Sequence, residues 1–500
     1  MAKSYVLSLS LCLLFLFHGC LSTQQQKQHQ GQTQSQHQFR GEQRQCRIDN
    51  LDALEPTHQI EAEAGLIEYW DENNEQFQCA GVTACRITVQ PKGLSLPAYY
   101  NSPKLIYIVK GKGVLGLLVP GCPETFHSFD HSRQSEDQES RRPSSKDQDS
   151  RSQGHEDVHQ KLRRVKKGDI IAIPNGVAYW FFNDGDTPVV AVGIADTGNN
   201  LNQLDDRIRK FYLAGNVQEQ EQQHHHHQQQ QQQRGSSSSG REKAEEESFG
   251  NNIFSGFDAE LLAQAFGVEK ETVRKLQGKN DERGRIIHVE EGLQVIRSIS
   301  SEEEEEQQEQ QRQNQMKANG LEESFCNMRF RQNIGKATSA DVYTPFGGRV
   351  TNVNSQSLPI LSFLDLSAER GYLYKNSMMS PHWNMNAHSV IYVLNGEARV
   401  QIVANYGQAV FDGQLREGQI VIIPQNFAVV KQAADNGFEW VSFKTSDNAM
   451  KSPLAGRASA IRAMPEEVLV NVYQISNEEA KRLKFNRDEL IVFGPRSESY

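Results

Sequence analysis

After its first 22 residues the chain has no long apolar run, and nowhere does it carry an Asn-x-Ser/Thr sequon or a Cys-x-x-Cys pair. The first absence leaves nothing to place across a membrane. The second removes N-glycosylation from the expected chemistry, and the third argues against a zinc site. P-loop, Gly-x-Ser-x-Gly and His-Glu-x-x-His motifs are missing too. Nucleotide hydrolysis, the serine-hydrolase elbow and zinc-protease chemistry therefore have nothing to carry them. No basic domain stands out, and the formal net charge of the 500 residues is −10, which argues against nucleic acid as a partner.

Hydrophobic content is also low, at 37%. The shortfall is local. Residues 23–45 are Gln-rich, about 124–160 charged and Ser-rich, about 218–247 rich in Gln, His and Ser, and 300–319 rich in Glu and Gln. Such tracts bury too little apolar surface to offset the entropy of ordering, so they read as disordered. The run His224–His227 reads as part of a solvated tract rather than a metal site. The folded blocks are then roughly 46–123, 161–215, 249–299 and 320–500, and 500 residues suggest two or three domains.

Residues 1–22 begin with a basic Lys3, continue as an apolar run and end in small residues. This is the pattern of a secretory signal peptide cut near Ser22, and it routes the chain through an oxidising lumen. Cys12 and Cys20 leave with it. Cys46, Cys79, Cys85, Cys122 and Cys326 remain as disulfide candidates, and the odd number leaves at least one free or intermolecular. "GVTACRITV" reads as a strand, so Cys85 is expected to be buried and inert.

The folded blocks are strand-like and repeat. "LIYIVKGKGVLGLLV" and "VIYVLNGEARVQIVA" read as hairpins broken at Gly111 and Gly396. Gly168 and Pro174 match Gly418 and Pro424. Leu261, Leu262, Ala265, Phe266, Val268 and Leu276 match Val468, Leu469, Val472, Tyr473, Ile475 and Leu483 at one constant offset, with helical periodicity. Order is kept throughout, so the chain reads as two copies of one mainly β domain, a barrel followed by a small helical extension.

"GDIIAIPNGVAYWFFN" resembles the second motif of the cupin family: Gly168, Pro174, Gly176, an aromatic, then Asn183. With the repeat, the cysteine spacing and "NGLEESFC" at 319–326, the chain resembles the legumin-type, or 11S globulin, seed storage proteins over nearly its whole mature length. The fold implied is two cupin, jelly-roll-like β-barrels, with the N-terminal domain over 46–299 carrying both insertions, an acidic linker over 300–319, and the C-terminal domain over 320–500. The resemblance implies a nitrogen and amino-acid reserve without catalysis or cofactor. It also implies cleavage between Asn319 and Gly320 by a vacuolar asparaginyl endopeptidase. Bridges Cys46–Cys79 and Cys122–Cys326 follow from it, with Cys85 free, as do precursor trimers, mature hexamers, and deposition in the protein storage vacuole of seed. Family members are often food allergens. The copy of Asn-Gly at 319–320 differs from those at 175–176, 395–396 and 436–437 because only it follows a tract expected to be disordered, where a protease reaches extended backbone. Charge divides there: residues 320–500 hold 18 Lys+Arg and 18 Asp+Glu, so the whole net charge of −10 lies before Gly320.

Two other functions are open to a cupin. A metal-dependent bicupin enzyme would need several His and one Glu converging in a barrel. The positions resembling that set hold Tyr99, Asn101, Leu105 and Tyr179 in the first barrel. In the second they hold His382, Asn384 and Val429, with the remaining position falling on His388 or Val390. This gives no metal site in the first barrel and at most two His in the second, where hydrogen-bonded structural histidines are the better reading. A small-ligand-binding cupin is the other, although Tyr99, Tyr179 and Trp180 look large enough to fill a barrel.

Overall fold

Short β-branched and aromatic runs separated by Gly and Pro dictate antiparallel strands, and these make up most of the computed structural model. It describes residues 46, 48–119, 162–216, 252–293 and 328–495. The signal peptide, the Gln-rich segment, both insertions, the acidic linker, Cys122, Asn319, Gly320 and Cys326 lie outside the described residues.

The N-terminal module runs β1 (His58–Ala62), β2 (Gly65–Tyr69), β3 (Val82–Val89), β4 (Gly93–Tyr100), β5 (Lys104–Lys110), β6 (Lys112–Leu118), β7 (Leu162–Lys166), β8 (Asp169–Ile173), β9 (Ala178–Phe182), β10 (Val189–Asp196), β11 (Lys210–Tyr212) and β12 (Ile286–His288). One sheet has the order β1-β2-β3-β10-β5-β8, and β13 (Arg331–Asn333) pairs with β8 at its far edge. The facing sheet has the order β11-β4-β9-β6-β7, with β12 on β4. This is the jelly-roll pairing, and it corrects the expected hairpin at Gly111. Strands β5 and β6 do not pair; they lie in different sheets. Gly111, at φ +84°, is the corner where the chain crosses from one to the other.

The C-terminal module comprises β14 (Val342–Thr344), β15 (Gly348–Val353), β16 (Ser367–Leu373), β17 (Met378–Asn384), β18 (Ser389–Val403), β19 (Ala409–Arg416), β20 (Ile420–Ile423), β21 (Ala428–Lys444), β22 (Lys451–Pro453) and β23 (Val492–Phe493). The long strand β21 pairs with β16, β17 and β18, and β18 pairs with β19 and β20, which curls the sheet into a nearly closed barrel. Here too the expected hairpin is replaced: β18 passes straight through Gly396, with register shifts against β21 on both sides of it. Gly396 and Gly437 both have φ +75°, and a Cβ on Gly396 would sit 2.2 Å from the Gly437 carbonyl oxygen. These two Asn-Gly pairs are therefore bulges in facing strands, not turns.

Each barrel is followed by two short helices: Ala259–Phe266 and Lys270–Leu276, then Glu466–Tyr473 and Asn477–Phe485. The first pair starts from Asp258, whose carboxylate accepts from Glu260 and Leu261 N–H. The last helix starts from a capping box of Ser476 and Glu479. Leu262, Val273, Leu469 and Ala480 are buried, whereas Leu261, Phe266, Val472, Tyr473 and Leu483 are exposed. Between the modules one apolar cluster runs continuously from Leu105, Ile171 and Val192 to Leu361, Val390, Tyr392 and Phe443. Within Asp49–Tyr500, which forms one unit, the two barrels thus share a core.

Candidate functional site

Both barrels have interiors to consider. In the first, Leu105 is wholly buried and Tyr179 stacks on Tyr100 with ring centroids 5.9 Å apart. Both rings belong to the central cluster, so aromatic bulk fills this barrel. Lys104 Nζ lies 3.3 Å from the Tyr100 ring centroid, a cation over a π face. Tyr99 points to the other side of β4, as alternation requires, and stacks on Phe211 at 4.9 Å. Asn101 is used up in loop bonding, donating to Asn202 Oδ1 at 3.1 Å and to the Arg207 carbonyl at 2.9 Å. Trp180 lies across Gly116, where a Cβ would come within 2.2 Å of the indole. Of the three large residues expected to fill the barrel, Tyr179 does so.

In the second barrel His382 is buried, with Nδ1 2.7 Å from the Ser380 carbonyl. That contact places the proton on Nδ1. Burial, followed by the fields of Lys431 and Lys451, pushes its pKa well below the usual imidazole value, so the ring is neutral. His388 stands at the entrance to β18, where its Nδ1 accepts from Gln425 N–H at 3.2 Å. Val390 and Val429 are buried apolar residues. Both histidines are therefore hydrogen-bonded parts of the framework, and no group of three His, Cys, Asp or Glu suited to a metal occurs among the described residues.

What the second barrel does hold is a buried charge cluster that sequence reasoning passed over. Glu369 on β16 is 2% exposed and forms a salt bridge with Lys451 on β22. Its other oxygen accepts from Trp440 Nε1 at 3.3 Å. Lys444, at the end of β21, donates to Asn384 Oδ1 at 3.1 Å and Ser389 Oγ at 2.8 Å. Lys431, also on β21, reaches only the thioether of Met379, at 3.5 Å, and lies 5.1 Å from the Trp440 ring centroid. The amide Nδ2 of Asn384 is buried without an acceptor.

The electrostatics follow from this crowding. Burial pushes the Glu369 carboxyl up, but the summed fields of Lys451, Lys444 and Lys431 outweigh it and hold the group well below the usual carboxylate range. Burial brings Lys431 down to about 8, with Glu369 partly opposing. The same balance brings Lys444 down to about 7. A cavity of about 440 Å³ opens against Glu369, Lys444 and Lys451, with Ser367, Asn352 and Asn354 in its wall. A period of two puts Lys431 and Lys444, 13 residues apart, on opposite faces; only the bulge around Gly437 turns both inward, which the sequence pattern alone does not show.

Among the cysteines, Cys46 and Cys79 are each disulfide-bonded, and Cys85 on β3 is a half-buried free thiol. The described residues include no helix long and apolar enough to cross a membrane.

Two jelly-roll modules sharing one core, one interior filled by aromatic packing and the other holding a buried charge cluster, define a two-barrel protein of the cupin class. The Cupin family profile matches residues 51–219 and 332–481. The 11S globulin seed storage protein 1 of Carya illinoinensis is 52% identical over 520 residues, spanning 100% of this chain and 98% of that protein. The 11S globulin of Juglans nigra is likewise 52% identical, over 523 residues spanning 100% and 98%. Among solved structures, the coconut allergen cocosin superposes with a TM-score of 0.73 at 44% identity, covering 90% of this chain and 100% of that one. Pumpkin seed globulin does so with a TM-score of 0.73 at 43% identity, covering 91% and 100%. The chain belongs to the 11S globulin seed storage proteins, two-barrel members of the cupin family.

Proposed function

We propose that the chain is the precursor of a seed nitrogen reserve, cleaved between Asn319 and Gly320 into an acidic and a basic chain that stay disulfide-linked. The observation that carries this reading is full-length similarity to seed storage globulins. The division of charge at Gly320 and the Asn-Gly pair after a Glu-rich tract agree with it. In this reading Cys122 pairs with Cys326 across the cut, Cys46 pairs with Cys79, and an asparaginyl endopeptidase of the storage vacuole makes the cut. The bonded state of Cys46 and Cys79 is consistent with their pairing. The route is the secretory pathway to the protein storage vacuole, with no membrane or nucleic-acid partner. Like the coconut relative described as an allergen, the chain is a food-allergen candidate.

The chain assembles with copies of itself, as trimers of the precursor and hexamers once cut. Support comes from the helical extensions, where Leu261, Phe266, Val472 and Tyr473 stand exposed on helices whose opposite faces are already buried. It has no catalytic role in this reading: the positions matching a cupin metal set are Tyr, Asn, Leu, Val and two hydrogen-bonded histidines.

Gel electrophoresis of the mature protein with and without reductant, followed by N-terminal sequencing, tests the processing. One band should split into two on reduction, with the smaller beginning at Gly320. A single intact chain after reduction would refute the cleavage.

A further inference from the structure

Inside the C-terminal barrel, donors outnumber acceptors. Three lysines, Lys431, Lys444 and Lys451, surround the single carboxylate Glu369. Lys451 is paired with it. Lys431, 2% exposed, has three N–H bonds to place; it meets the Met379 sulfur at 3.5 Å, a weak acceptor, and lies 5.1 Å from the Trp440 ring centroid. Asn384, fully buried beside Lys444, has its Nδ2 without an acceptor. Weakly partnered donors and excess positive charge in a buried interior are costly, and storage as such does not require them. Lys431 and Asn384 stand behind the adjoining cavity, which Lys444 and Lys451 line themselves, so an anion there would offset the excess positive charge through its field rather than by direct contact with Lys431 or Asn384.

The cavity itself narrows the class of anion. At about 440 Å³ it is of small-molecule size, more than an inorganic oxyanion needs. Its wall is largely polar, with Ser367, Asn352 and Asn354 beside Lys444 and Lys451. It also contains two carboxylates, Glu369 and Asp341. These disfavour a multiply charged phosphate and call for hydroxyl donors on the ligand. We propose that this cavity binds a small hydroxylated carboxylate, with its carboxylate held between Lys444 and Lys451 and its hydroxyls by Glu369, Ser367 and Asn352.

The site is sensitive to pH in a defined direction. The charged groups that line it are Glu369, Lys444, Lys451 and Asp341; Lys431 and His382 lie behind them, within reach of their fields. With Lys444 at about 7 in the empty site, its ammonium is complete in mild acid and largely lost in mild alkali. Glu369 remains ionised and His382 neutral across that interval. Binding is therefore tighter at acid pH and takes up a proton near neutrality. The proposal stands apart from the storage reading and is tested separately.

The test is titration calorimetry of the purified full-length protein with gluconate, with butyrate and inorganic phosphate as comparison ligands. Gluconate should bind saturably at about pH 6 and roughly tenfold more weakly at about pH 8.5, by the Lys444 ionisation. Lys444→Gln should weaken it at least about tenfold, the usual scale for a lost charge-assisted contact. Because Lys444 also supports Asn384, a second variant, Asn352→Leu, fills the cavity from β15, gives up the exposed bond to Asp341, and should abolish binding with the fold intact. The proposal is overturned by no saturable gluconate binding at the lower pH, by binding unchanged in both variants, or by butyrate or phosphate binding as tightly.

Discussion

Asp169 on β8 is fully buried and held by Arg331 on β13, Nη1 to Oδ2 at 3.2 Å, although 162 residues separate them. Asn333 donates to its other oxygen, Oδ1, at 2.7 Å, and the backbone N–H of Lys166 donates to Oδ2 at 2.8 Å. The first strand after the Asn319–Gly320 junction is thus a strand of the preceding barrel. Ile334 N–H also donates to the Gly168 carbonyl at 2.9 Å, and Ala172 N–H to the Phe330 carbonyl at 2.8 Å.

From this weave we expect cohesion without the covalent link. Protein cut at the junction and reduced under native conditions should elute from gel filtration as one species and separate only in denaturant. Asp169→Ala should cost about 3–5 kcal/mol, because it leaves the Arg331 charge without its buried partner. Denaturant unfolding of wild type and variant measures the loss, and two native peaks after reduction would show that the strand does not hold.

Gly371 has no room for a side chain. It sits opposite Trp440 in the register of β16 and β21, and a Cβ would come 2.0 Å from the indole Cζ2. Gly371→Ala must move the ring or the strand, at roughly 1–3 kcal/mol of overpacking. The Trp440 Nε1 bond to Glu369 should loosen with it, giving a lower Tm and a shifted tryptophan emission.

Lys444 bears a burial cost that depends on pH. Its pKa is about 7 folded against the usual lysine value of 10.5, so the unfolded chain binds more protons over that interval. The cost is absent above the unfolded pKa, grows as pH falls toward 7, and is constant below. Lys444→Met removes the titration. The Tm of the variant relative to wild type should therefore be highest at and below neutral pH and fall steadily as pH rises toward about 10. A difference independent of pH across that range would contradict the assignment.

The two helical extensions end differently at matching positions. Gly267 closes the first at φ +66°, and Gln474 closes the second at φ +54° in the same left-handed conformation. Gln474→Gly should relieve that strain and stabilise the protein by about 0.5–1 kcal/mol, read as a higher denaturation midpoint at unchanged slope.

Legibility in the sequence followed locality. The duplication, the mainly β class and the helices were visible because period, Gly/Pro punctuation and offset are properties of neighbouring residues. Leu262 and Leu469 carried the apolar stripe that buries them. The hairpin at Gly111 was misread because a strand pair and a strand crossing between sheets use the same residues. Only the partner strand distinguishes them, and it lies far away in the chain. Glu369 and Lys451 were invisible for a related reason: separately each is an ordinary charged residue, and only barrel closure turns both inward.

By itself, then, the sequence determined that two related β modules follow one another, that long polar tracts interrupt them, and that neither carries a recognisable catalytic set. These are matters of composition and short-range pattern. The tertiary structure alone decided that Arg331 belongs to the barrel before the junction and that three lysines meet one glutamate inside the second. Both depend on which distant strands pair and on which face of a curved sheet becomes its interior, and burial then gives these ordinary charges their altered chemistry.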